Sequence, residues 1–170
     1  MGKNTTPGLY GESEQDLEFT KEEILMGEKD ILDGLIQLGG RRDEAENYGK
    51  IRLKDAKGNV KLEFRIRPLT EEETKALTRQ ATSMPKNKNE KEIVDWVKYR
   101  SLLIYTATID EDREKIWDNK KAMEHYDAMQ GWELVDKIMF LGEKVRTLRV
   151  LDKISEIGFE EVQAEEQAKN

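Results

Sequence analysis

Hydrophobic and polar positions change period several times along this chain. Over residues 22–38, Ile24, Leu25, Leu32, Leu35, Ile36 and Leu38 recur at three- and four-residue spacings. That spacing predicts an amphipathic helix, with Gly27 a candidate break and Gly39-Gly40 its stop. A polar connector, 41–48, follows. From Lys50 the period drops to two: Ile51 and Leu53 alternate with Lys50, Arg52 and Lys54. Beyond Asp55-Ala56-Lys57-Gly58-Asn59 the alternation resumes, with Val60, Leu62, Phe64 and Ile66 set against Lys61, Glu63, Arg65 and Arg67. Period two on both sides of a turn predicts a β-hairpin over about 49–67, one face apolar and the other charged. Pro68 closes it, because proline cannot donate to a strand ladder.

The remainder is helical in pattern. Thr70-Glu71-Glu72-Glu73 forms a capping box, in which the threonine accepts from the Glu73 amide and the Glu73 carboxylate reaches back. A helix to about Thr82 is expected, then an exposed loop over 83–91 that contains Pro85. Ile93, Trp96, Val97, Arg100, Leu103, Ile104 and Ala107 predict a central helix, and Ala122, Met123, Tyr126 and Met129 a shorter one over about 119–130. From Trp132 a stripe of Leu134, Ile138, Leu141, Val145, Leu148, Leu151, Ile154 and Ile157 is interrupted by Gly142, so one kinked helix and two successive ones both fit. Gly158 suits a left-handed cap, with Phe159 folding back onto Ile154. The fold class predicted is α+β, mostly α: an N-terminal amphipathic helix, one β-hairpin, then a small helical bundle. The expected organisation is a flexible tail over 1–20, a single domain over 21–159 with its helical part at 70–159, and a flexible acidic tail over 160–170.

Charge and composition narrow the chemistry. Of 170 residues, 38% are charged and 36% hydrophobic, and the net charge is −7. Residues 1–20 and 160–170 each sum to −3, leaving a body near neutrality. Nucleic-acid binding needs a concentrated basic face, so the balance disfavours it. The hairpin region is locally basic, yet no aromatic residue interleaves its charged face to stack a base, and a solvated strand face is the expected reading. The absence of cysteine excludes a disulfide framework, thiolate metal sites and thiol nucleophiles. Only one histidine, His125, is present, in Glu124-His125-Tyr126-Asp127, where a solvent-facing side chain is expected rather than a metal ligand. Asp110 and Asp112 open like a calcium loop, but Lys115 and Lys121 stand where glycine and glutamate are required. No phosphate-binding loop or nucleophile elbow occurs, and no stretch reaches the length of a membrane span. No enzyme activity, cofactor or metal is expected. Trp96, Trp117 and Trp132 with Met123, Met129 and Met139 form an adaptable apolar set, by default a core and otherwise a recognition surface.

Three segments carry a resemblance. Leu134-Val135-Asp136-Lys137-Ile138-Met139, with Leu141-Gly142-Glu143, Leu148 and Ile154-Ser155-Glu156-Ile157-Gly158-Phe159, resembles the phage tail assembly chaperone family, of the type found in Bacillus-like phages and defective prophages. Phe64-Arg65-Ile66-Arg67-Pro68-Leu69-Thr70 resembles that family's passage from a strand into a Glu-rich helix, and Ala107-Thr108-Ile109-Asp110 its central segment. Together they span about 49–159. The long loop at 83–91 and the charged N-terminal extension depart from the family's pattern. The resemblance implies a non-enzymatic assembly factor of the bacterial host's cytoplasm. Such a factor binds the tape-measure protein, and with it the tail tube protein as a further partner, and promotes assembly of the tail tube. Val135, Ile138, Met139, Leu148 and Leu151 are the candidate client-binding residues, with burial in the core as the alternative. A nucleic-acid-binding regulator and a structural tail or baseplate component are the rival readings, and a homo-oligomer is left open.

Overall fold

The computed structural model describes residues 14–161, with side chains from residue 27 onward. The chain divides between Arg41 and Arg42 into two compact units. The first is built on α1, Glu14–Gly40. It starts earlier than the periodicity predicted and takes in seven residues of the expected tail. Gly27 does not break it, since a lone interior glycine costs only about 1 kcal/mol against alanine. The single domain expected from residue 21 therefore meets a division at Arg41. The expectations for residues 1–13 and 162–170 lie outside the described residues.

The second unit opens with two short 3-10 turns, then the hairpin of β1, Gly49–Lys54, and β2, Val60–Ile66. The strands pair antiparallel, with Ile51 opposite Phe64 and Leu53 opposite Leu62. Ile51, Leu53, Phe64 and Ile66 are buried, and Lys50, Arg52 and Lys54 face out, as period two dictates. Asp55 builds the turn: its carboxylate accepts from the amides of Lys57 and Asn59, each at 2.9 Å. Gly58 sits at φ +86°, a conformation glycine adopts without cost.

Seven helices stand among the described residues. After α1 come α2, Glu71–Ala81; α3, Trp96–Ala107; α4, Asp110–Lys115; α5, Lys120–His125; α6, Gly131–Ile138; and α7, Leu141–Ser155. The fold is α+β and mostly α. α3 is central, packing on α2, α6 and α7, with Ser101 to Ile104 and Ala107 buried. It begins at Trp96, three residues later than the pattern placed it, because Ile93–Val94 is a strand, β4, paired with β3, Thr82–Ser83. The last stripe resolves into two helices. The chain turns at Met139-Phe140, and Gly142 lies harmlessly in the first turn of α7. α7 packs on β1 so closely that a Cβ on Gly49 would lie 2.7 Å from Val150 Cγ1.

The main core joins hairpin and helices: Ile51, Leu53, Phe64, Ile66, Ile104, Ala107, Trp117, Leu134, Val135, Met139, Leu151 and Ile154. Leu77, Ala81, Leu102 and Leu103 form a second cluster where α2 meets α3. Trp117 is the pivot. It meets Phe64 edge-on at 5.3 Å, and its indole N–H donates to Thr108 Oγ1 at 3.0 Å. Thr108 in turn donates to the Ile104 carbonyl, so each polar atom in this apolar setting is satisfied.

Candidate functional site

Two of the family-like segments meet each other. β2 runs on to Pro68, and beside it the chain leaving α3 is hydrogen-bonded in strand fashion: the Arg67 amide donates to the Ala107 carbonyl and the Ile109 amide to the Arg65 carbonyl. Arg65 then clamps Asp112 through both carboxylate oxygens, at 2.8 and 3.0 Å, and reaches Glu111. Arg67 grips Glu73 in the same two-pronged way, at 2.7 and 3.1 Å. Glu73 also accepts from the Thr70 amide, while Thr70 Oγ1 accepts from the Glu73 amide, so the capping box is present. The Arg67 guanidinium, helped by Thr70, holds the Glu73 carboxyl down at about 2. Arg65 likewise holds the Asp112 carboxyl below its ordinary value. These arginines lock β2 to α2 and α4; their role is architectural.

The third segment, in α6 and α7, is also architectural. Val135, Met139 and Leu151 lie in the core, and Ile138 and Leu148 are half-buried against it. Helical periodicity placed all five on one stripe correctly, but three of the five are core side chains and offer no surface to a partner in this fold. Asp136 and Lys144 tie the two helices together in an ion pair whose lysine is almost wholly buried. Phe159, expected against Ile154, is exposed, although Gly158 does take its left-handed conformation.

Surface apolar groups lie elsewhere. β3 and β4 hold two chain segments side by side, and around them Met84, Ile93, Trp96 and Val97 are all exposed. Next to them runs an open groove of about 810 Å³ along α2, lined by Thr74, Thr78, Thr82 and Met84 among others. Each threonine hydroxyl donates to a backbone carbonyl one turn back (Glu71, Thr74 and Thr78 in order). With their hydroxyls turned to the backbone, these threonines offer methyl groups, not donors, to the groove. A second apolar spot, Phe140 and Leu141, sits at the α6–α7 corner. Sequence pattern could not single these out, because Ile93, Trp96 and Val97 share the spacing of the buried α3 residues.

The basic hairpin face is largely neutralised. Lys50 and Arg52 pair with Glu63, Lys61 with Asp55, and Arg65 and Arg67 with the carboxylates named above. His125 is exposed and leans on Tyr126. Among the described residues, no group of His, Cys, Asp and Glu could hold a metal ion, and no helix is long and apolar enough to cross a membrane.

Hairpin, helices and surface together define a small, mostly helical α+β protein whose distinguishing chemistry lies on its outside, not in a cleft. The model of the phage XkdN-like tail assembly chaperone proteins matches residues 38–169, and the chain belongs to that family. It is thus a phage tail assembly chaperone by descent, as the three segments implied. A structure similar to it is the crystal structure of the protein yqbn, a structural genomics target, with 18% identity over 66% of this chain and 87% of that one, at a TM-score of 0.37. Comparison with curated proteins gives no significant match.

Proposed function

We propose that this chaperone binds the tape-measure protein in the cytoplasm of the infected host, keeps it soluble, and promotes assembly of the tail tube around it, without catalysing a reaction. The observation that carries this reading is the exposure of Trp96, at 58%, together with Met84, Ile93 and Val97, on a member of an assembly-chaperone family. Tryptophan and methionine are the side chains that recur where a surface must grip varied apolar partners. A long helical client offers anchors at i, i+3, i+4 and i+7, and a groove lined by methyl groups accepts such a stripe. Val135, Met139 and Leu151 support that surface from beneath. The nucleic-acid alternative loses its main attraction, since the hairpin cations already have carboxylate partners.

Co-expression with the tape-measure protein of the same phage tests the reading. The client is expected to become soluble and to co-purify with the wild-type chaperone, and Trp96→Glu to reduce the yield sharply while leaving the chaperone folded. Equal solubility of the client with and without this protein would sink it. Retention of the chaperone in finished particles would favour a structural tail component instead.

A further inference from the structure

α1 lies almost entirely outside the residues matched by the family, which begin at 38, so it is an addition to the common body. Its chemistry is unlike that of the rest. Glu14–Gly40 contains eight carboxylates and two lysines, a net −6 out of the chain's −7. On this acidic rod Ile31, Leu32, Leu35, Ile36 and Leu38 are each more than half exposed. At 100° per residue they occupy two adjoining rows, 31-35-38 and 32-36, which is a face and not a scatter. Single exposed aliphatics need no explanation, but five in one face of a helix mark an interaction site.

The charge decides what covers it. A second copy of α1 laid against the first, parallel or antiparallel, would bring −6 against −6 around the apolar contact, and like charges across an interface oppose docking. The complement of this surface is a helix with an apolar stripe flanked by Lys and Arg. We infer that α1 docks basic amphipathic helical segments of the tape-measure client, as an arm that adds charge-steered recognition to the apolar grip of the body. The inference rests on the client assignment proposed above and assigns to α1 the basic stretches of that client. Charge of one sign on such an arm speeds encounter and makes binding fall with ionic strength.

The test uses the full chain against overlapping peptides that cover the tape-measure protein of the same phage, and against the intact client. Peptides that combine an apolar helical stripe with net positive charge are expected to bind, more weakly as salt is raised. Leu35→Glu with Ile36→Glu is expected to lower their affinity by about tenfold or more, as loss of central anchors does. Asp30→Lys with Asp33→Lys should weaken the same peptides while leaving every apolar contact in place, and circular dichroism should show α1 helical in both variants. If the wild-type chain binds the intact client and both variants bind it equally well, the role of α1 is overturned and the chaperone reading stands. If the bound peptides are acidic or neutral, the inference fails on its chemistry. Sedimentation that reveals a wild-type dimer abolished by Leu35→Glu with Ile36→Glu would give the face to a second copy, also overturning it. Failure of the wild-type chain to bind the client at all would remove both readings together.

Discussion

Glu73 joins three elements through one carboxylate, accepting from Arg67 and from Thr70. In the unfolded chain it protonates near the ordinary carboxylate value, in the folded protein only at about 2. Between those values the unfolded state holds more protons, so this stabilisation is complete above the ordinary value and is lost as pH falls towards 2. Glu73→Gln is expected to cost about 1–2 kcal/mol at neutral pH, the scale of a charged hydrogen bond discounted for partial exposure. Urea midpoints of the two proteins should converge as the pH is lowered; a gap that stays constant would refute the assignment. Trp117→Ala removes the pivot of the core and should cost about 3–5 kcal/mol by chemical denaturation. At this scale the sequence was informative only where partners are close in the chain. Thr70 and Glu73 are three apart and legible as a capping box, whereas Arg65 and Asp112 are 47 apart and were read merely as surface charge. The core residues among the five client candidates were misplaced for a related reason. Val135 and Ile138 share one helix stripe, and only the packing of α3 and α7 decides which of them is covered.

At the scale of elements, the hairpin was foreseen nearly residue for residue, because period two, a turn-forming Asp-Gly pair and a terminal proline all agree. Helix boundaries fared less well. α5 ends at His125, five residues before the predicted stop, since Asp127 takes a positive φ and turns the chain. α3 starts late because β4 claims Ile93 and Val94, a two-residue pairing too short to leave a pattern. The junction of α7 with β1 makes a specific prediction. A methyl group on Gly49 would strike Val150 on α7, so Gly49→Ala should cost about 1–3 kcal/mol, the range for overpacking. Val150→Ala in the same chain should recover part of that loss. A double-mutant cycle showing strictly additive effects would mean that the close approach is not the cause.

For the whole molecule, the division at Arg41 separates an acidic rod from a nearly neutral body. Removal of residues 1–41 is therefore expected to leave the melting temperature of the body within about 2–4 °C, the shift that 1 kcal/mol produces in a protein of this size. Scanning calorimetry of full and shortened chains checks it, and a much larger drop would show that the body depends on the arm. Family membership was legible from the chain because its segments at 64–70, 107–110 and 134–159 are those that the core and its ion pairs constrain. The apolar surface around β3 and β4 was not, since nothing local distinguishes an exposed tryptophan from a buried one.

The three tryptophans occupy graded environments: Trp117 is sealed in the core, Trp132 is half-covered with Lys98 over its ring, and Trp96 stands on the outer patch. The protein thus carries two optical probes of opposite meaning. Emission from Trp117 is blue-shifted and shielded from iodide, and it reports loss of the fold. Emission from Trp96 is red-shifted and open to the quencher, and it reports whatever comes to lie on that patch. Because the chain has no cysteine, a lone thiol placed on α1 accepts a dye without competition, so occupancy of arm and body can be timed separately in one stopped-flow trace.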